Sequence, residues 1–119
     1  MAELSLEQAL GTGASQNPTT FVISKTGMAA LLSAAGYTFT PKDSNSVDEL
    51  LAAITCCGLA KLTPEVREAD PTHKNIEFRY DPTINFSTTV LNGQTFNRHT
   101  VEVAFYKSIP TPTLNPSDY

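Results

Sequence analysis

A regular alternation of apolar and polar residues in the second half of the chain most constrains its fold. From Ile76 to Val90 the even-numbered positions are mostly apolar or aromatic, and the odd-numbered positions are mostly polar. This period of two is typical of β-strands, in which successive side chains point to opposite faces. The dipeptide Asn92-Gly93 follows and favours a two-residue hairpin turn. The pattern therefore predicts a long antiparallel hairpin over residues 76–108.

The turn also sets the register of this hairpin. Pairing Leu91 with Gln94 fixes the partners of the other residues: Ile84 with Val101, Pro82 with Val103, Tyr80 with Phe105, and Phe86 with His99. The apolar residues of both strands then share one face, so register and pattern agree. Pro82 lacks a backbone N–H, so we expect the hairpin to be bent or interrupted there. Because a two-stranded ribbon is marginal in water, its apolar face needs a helix, another strand or a second subunit.

Two helices are expected in the first half of the chain. Ser46-Val-Asp-Glu49 has the spacing of a capping box, and apolar residues recur at helical spacing behind it. This segment predicts a helix over 47–61. A shorter helix is predicted over 27–35, with Thr26 as its cap and Gly36 as its stop.

The remaining segments complete an α+β fold. The β-branched and aromatic residues of 19–26 predict a strand. Residues 1–18 are expected to form an extended N-terminal arm or loop with weak helical character at its start, 19–108 the core of a single domain, and 109–119 an extended Pro/Thr-rich tail. The predicted architecture is a small antiparallel sheet, dominated by the long hairpin and packed with one or two helices.

Length and charge exclude several classes of function. The chain has 119 residues, which suffices for one small domain. Its formal net charge is −4, which argues against nucleic acid as a partner, because phosphate contacts need clustered Lys and Arg. No apolar run approaches the length of a membrane span, so no membrane partner is expected.

No pattern in the sequence predicts catalysis, a metal or a cofactor. The adjacent Cys56-Cys57 cannot both ligate one metal on a helix, so we interpret them as a core residue and its edge neighbour, with a redox role as the alternative. His99 is expected at the edge of the apolar face. His73, near Asp70 and Glu68, leaves a weak cation site as an alternative to a plain loop histidine. Serine residues lack a motif that supplies a base, so we do not expect an enzyme.

Two stretches, Leu6–Lys25 and Ser46–Ile54, resemble small uncharacterised proteins of cyanobacteria and their phages. The β half and the tail are similar in style to small virion structural proteins, such as capsid decoration (cement) proteins and tail components. This resemblance implies a protein without catalytic groups that holds an assembly together through arms and added strands. It assigns no functional residue.

We therefore expect a virion structural protein, first of all a homo-oligomeric capsid decoration protein that enters the virion from the host cytoplasm. A phage tail, connector or baseplate component is one alternative, and a host adaptor that binds by strand addition is another. The expected partners are further copies of the chain and other virion proteins, such as the major capsid protein. The expected interface residues lie on the ribbon and in the tail: Ile84, Phe86, Val101, Val103, Leu114 and Tyr119.

Overall fold

The computed structural model describes residues 4–69, 75–106 and 113–119. Helices and short antiparallel strand pairs alternate along these residues, which confirms the predicted α+β class. The elements are α1 Leu6–Leu10, β1 Ser15–Gln16, β2 Phe21–Val22, α2 Lys25–Ala34, α3 Val47–Lys61, α4 Pro64–Ala69, β3 Ile76–Arg79, β4 Phe86–Leu91, β5 Gln94–His99, β6 Glu102–Phe105 and a 3-10 turn over Pro116–Asp118.

Helix α3 has the predicted bounds, and its capping box is formed. The Ser46 hydroxyl accepts a hydrogen bond from the Glu49 N–H at 3.1 Å, and the Glu49 carboxylate accepts one from the Ser46 N–H at 3.2 Å. The bond from Ser46, followed by one from Asn45, lowers the pKa of Glu49. Lys42 lies 3.5 Å from the same carboxylate.

Helix α2 begins two residues before its predicted start. Its cap is Ser24, whose hydroxyl accepts a hydrogen bond from the Gly27 N–H at 3.2 Å, and Thr26 lies inside the first turn. The predicted strand over 19–26 is reduced to β2, because β2 pairs only with the two residues of β1. The expected cap and the length of the strand were therefore wrong.

The core lies between α2 and α3 and includes part of the N-terminal segment. Its most buried side chains are Met28 and Leu32 from α2, with Ala53 and Cys57 from α3. Helix α1 contacts both α2 and α3, and Ala14 is buried. The described residues before position 19 thus belong to the folded body and do not form the extended arm that we expected.

The predicted long hairpin is divided into two ladders. Strands β4 and β5 have the predicted register, with Leu91 opposite Gln94 and Phe86 opposite His99. Strands β3 and β6 do not: Phe78, and not Pro82, lies opposite Val103. The predicted pairs Tyr80–Phe105, Pro82–Val103 and Ile84–Val101 were therefore wrong. The shift is an even number of residues, so side chains of β3 keep their predicted face.

A turn over residues 81–85, the Asp81 turn, absorbs the extra residues and causes the shift. The Asp81 carbonyl accepts hydrogen bonds from the N–H groups of Ile84 (3.0 Å) and Asn85 (2.6 Å). The Asn85 side-chain oxygen accepts one from the Asp81 N–H at 2.8 Å. Pro82 lies within this turn, so of the two alternatives predicted at that residue, a bend or an interruption, the structure has the interruption.

Candidate functional site

Strands β4 and β5 with their turn form a projecting hairpin, residues 86–99. Every residue of both strands is exposed. Phe86 (41% exposed) and Val90 (66%) lie on one face, and Leu91 (63%) and Phe96 (41%) lie on the other. The hairpin therefore presents large apolar side chains on both faces, which is unusual for a ribbon that no helix of the described residues covers.

The edges of the projecting hairpin carry little that would discourage further strand pairing. Residues 86–99 contain no proline and no lysine, and Arg98 is their only charged residue apart from the titratable His99. Lysines, prolines and bulges are the usual means by which proteins protect a free strand edge. The turn itself is regular, since both Asn92 (φ 52°) and Gly93 (φ 76°) have the left-handed backbone of a type I′ turn.

His99 lies at the base of the projecting hairpin. It is at the edge of the apolar face, as predicted. A hydrogen bond of 2.7 Å joins its Nδ1 to the Tyr80 hydroxyl. Its ring lies 5.1 Å from the ring of Phe86, centroid to centroid. The contact with Tyr80 links the hairpin to the rest of the fold, whereas the contact with Phe86 lies within the hairpin.

An apolar groove of about 490 Å³ lies beside this base, between α3 and the sheet residues. On α3 it is lined at i, i+3, i+4 and i+7 spacing, which places these side chains on one helix face. The lining residues are Tyr37, Ala52, Thr55, Cys56, Leu59, Tyr80, His99 and Val101. Sequence reasoning missed this groove, although the helical spacing of its α3 members was a signal that could have indicated it.

A second exposed stripe of α3 consists of Val47, Leu51 and Ile54. Their exposed fractions are 70%, 58% and 36%, although all three are apolar. The buried positions of the same helix are Ala53, Cys57 and Gly58. Since a helix with apolar residues on several sides is typical of a buried position, α3 has more apolar surface than its own chain covers.

The two cysteines have the roles that we predicted from their positions. The Cys57 side chain is fully buried in the core, and Cys56 is half-buried at the wall of the apolar groove. Burial raises the pKa of both thiols, and for Cys57 the neighbouring Cys56 adds to the effect. Both side chains are therefore held in the protonated form, which is a poor nucleophile and a poor metal ligand.

The predicted interface residues lie on different parts of the molecule. Val101 lines the apolar groove, and Val103 lies opposite Phe78 in the β3–β6 ladder. Ile84 (75% exposed) lies in the Asp81 turn, beside Phe86 at the base of the projecting hairpin, and Leu114 is also exposed (62%). Of these residues, Phe86 is linked to Val101 through His99, which contacts the Phe86 ring and lines the same groove as Val101.

The last residue packs on its own chain. The Tyr119 ring lies edge-on to Phe105, with 5.3 Å between the centroids. Residues 116–118 form a 3-10 turn before it, and not the extended backbone predicted for the tail. The first residues of the tail, 109–112, lie outside the described ranges, as do the predicted hairpin residues 107 and 108.

A partly buried polar cluster, which sequence reasoning also missed, joins α4 to strands β3 and β6. The Tyr106 hydroxyl donates a hydrogen bond to Glu77 at 2.6 Å, and Arg79 lies 3.6 Å from the same carboxylate. The Arg67 guanidinium lies 3.4 Å from the centroid of the Tyr106 ring. The bond to Glu77 raises the pKa of Tyr106. Glu77 has two partners and the Arg67 guanidinium stacks on Tyr106, although the buried Nε of Arg67 has no hydrogen-bond partner among the described residues. Stacking and ion pairing of this kind are typical of a structural contact.

Over the described residues, no group of three or more His, Cys, Asp or Glu side chains is arranged to hold a metal ion. No helix in the described ranges is both long and apolar enough to cross a membrane. The cation site considered at His73 and Asp70 falls on residues outside these ranges. Comparisons with protein families, with curated proteins and with solved structures found no match.

Proposed function

We propose that this chain is an assembly protein that works as a homo-oligomer, and specifically a virion structural protein of the capsid decoration type. The observation that carries the proposal is the projecting hairpin, with its exposed apolar residues on both faces. Such a hairpin gains stability when a neighbouring subunit covers it. Burial of apolar surface contributes roughly 25 cal/mol per Å², so covering both faces favours association.

The distribution of the exposed apolar residues also favours contacts with more than one neighbour. The projecting hairpin and the stripe of Val47, Leu51 and Ile54 lie on different elements, and Leu114 is a further exposed apolar residue. A decoration protein that bridges neighbouring capsomers needs several patches of this kind, each repeated by the symmetry of the particle. A contact of about 1,000 Å² in total suffices for a specific interface.

The same exposed residues also support, in part, two other functions. A tail, connector or baseplate component would use the same patches in a ring of fewer copies. A host adaptor would use the free edges of β4 and β5 to pair with an extended peptide, as in other cases of strand addition. Exposed apolar residues on more than one element favour an assembly protein over an adaptor, since strand addition needs only one edge.

A rebinding experiment tests the proposal. Particles from a phage from which this gene has been deleted would be mixed with the purified chain and sedimented. We expect saturable binding, and we expect the double variant Leu91→Asp/Phe96→Asp to bind at least about tenfold more weakly, which corresponds to 1.4 kcal/mol. The matched control is Ser33→Asp/Ser44→Asp, with the same added charge on exposed serines of the helical part.

The control is expected to bind like the unmodified chain. Undiminished binding of the hairpin variant would contradict a role for the projecting hairpin. No binding of the unmodified chain to such particles would overturn the virion proposal and leave the adaptor as the alternative.

A further inference from the structure

We propose that two copies of this chain pair through the free edge of strand β4, forming a continuous four-stranded antiparallel sheet around a twofold axis at Thr88. The inference rests on the proposed function, since it specifies how the homo-oligomer forms. It follows from the register of the projecting hairpin, the residues on the β4 edge and the charges on each strand.

The register shows which backbone groups of β4 are free. Leu91 and Gln94 flank a two-residue turn, so each donates a backbone hydrogen bond to the other. Every second residue of β4, counted back from Leu91, bonds with its partner in β5 in the same way. The Thr100 N–H donates to the Asn85 carbonyl at 2.8 Å, in phase with this alternation. The N–H and C=O groups of Phe86, Thr88 and Val90 therefore point away from β5, toward the open edge.

These three residues can pair with the same three residues of a second copy that runs in the opposite direction. With Thr88 opposite the second copy's Thr88, Phe86 lies opposite Val90 and Val90 lies opposite Phe86. All three pairs are of the hydrogen-bonded kind, giving about six bonds between the copies. Aromatic with β-branched pairs and Thr with Thr pairs are stabilising cross-strand combinations, and here they lie on one face.

Charge also selects β4 rather than β5 for this pairing. The segment Phe86–Leu91 has no charged residue, no glycine and no proline, so two antiparallel copies meet without repulsion. The outer edge of β5 instead presents Thr95, Asn97 and His99, with Arg98 next to them. Self-pairing of β5 about Asn97 would place Arg98 opposite Phe96 and Thr95 opposite His99, so it would offer no pair of two apolar residues.

Two lysine variants test the inference by sedimentation equilibrium at concentrations up to about 1 mM. Thr88→Lys places two ammonium groups opposite each other at the twofold axis. Asn97→Lys is the matched control, because Asn97 lies directly opposite Thr88 in the hairpin, is exposed, and belongs to the outer edge of β5. We expect the unmodified chain and Asn97→Lys to dimerise, and Thr88→Lys to require at least about tenfold higher concentration.

Amide hydrogen exchange of the unmodified chain gives a second test that depends on no variant. In concentrated samples the amides of Phe86, Thr88 and Val90 are expected to become protected, while those of Thr95, Asn97 and His99 stay unprotected. Dimerisation of Thr88→Lys with unchanged affinity would overturn the β4 edge but leave a homo-oligomer. A monomeric unmodified chain at every concentration would overturn the pairing, and the rebinding experiment would then decide the proposed function separately.

Discussion

At the scale of single residues, Gly58 determines how closely α3 approaches the sheet. It is buried in the helix, and a Cβ atom built on it would lie 2.6 Å from the ring of Phe78. Carbon atoms of this kind do not approach so closely, so either the Phe78 ring or the helix has to shift to admit a methyl group. The absence of a side chain at position 58 is therefore a packing requirement.

Gly58→Ala is expected to lower the free energy of unfolding by about 1–3 kcal/mol, the usual cost of overpacking a filled site. Urea unfolding followed by circular dichroism measures the change. The same substitution in a Phe78→Leu background is the control, since the smaller side chain frees space for the methyl group. An equal cost in both backgrounds would contradict the contact between Gly58 and Phe78.

At the scale of elements, the Asp81 turn separates the two ladders and is sensitive to pH. The Asp81 carboxylate accepts hydrogen bonds from the Thr83 hydroxyl at 2.7 Å and from the Thr83 N–H at 2.9 Å. These donors lower the pKa of Asp81 in the folded chain. The carboxylate therefore stabilises the fold above its unfolded pKa of about 4, and this contribution is lost as the pH falls through the folded pKa.

Asp81→Asn keeps the acceptor oxygen but removes the charge. We expect the unmodified chain to have the higher Tm at pH 6, and the difference between the two chains to shrink as the pH is lowered toward 2. Thr83→Val removes only the hydroxyl donor. In that background, the Tm difference caused by Asp81→Asn is expected to depend less on pH. A Tm difference that is the same at pH 6 and at pH 2 would contradict the role assigned to this carboxylate.

The elements also show which parts of the fold are determined by local sequence. The capping box at Ser46 and the turn at Asn92-Gly93 are local signals, and α3 and the β4–β5 register were both predicted correctly. The β3–β6 register depends on hydrogen bonds within the Asp81 turn, and an alternation with a period of two looks identical before and after an even shift. Sequence alone therefore predicted the face of each side chain in β3 but not its partner.

The candidate site was less predictable than the fold, for a similar physical reason. The apolar residues of α3 surround much of the helix, so spacing alone did not separate Ala53 and Cys57, which are buried, from Val47 and Leu51, which are exposed. The choice depends on how α2 and α1 pack on α3, and the N-terminal segment that contains α1 was expected to be an arm. Once both helices pack on α3, the face that remains open is determined.

At the scale of the whole molecule, the shape is extended for a chain of this length. The radius of gyration is 16.1 Å, and the principal extents are 46 × 35 × 27 Å. A compact domain of the same length has a radius of about 13–14 Å. The excess agrees with a small helical core from which the projecting hairpin extends, and such a shape exposes more apolar surface than a compact one. Such a shape is compatible with the proposed assembly, in which neighbouring copies would cover part of this surface.

Quantitative mass spectrometry of gradient-purified phage particles tests this account most directly, because it counts the chain in the assembly itself. For a decoration protein we expect a copy number in the hundreds, in a fixed ratio to the major capsid protein, whereas a connector or baseplate component would give only about three to twelve copies, as closed rings do. Absence of the chain from particles that are otherwise intact would contradict the account.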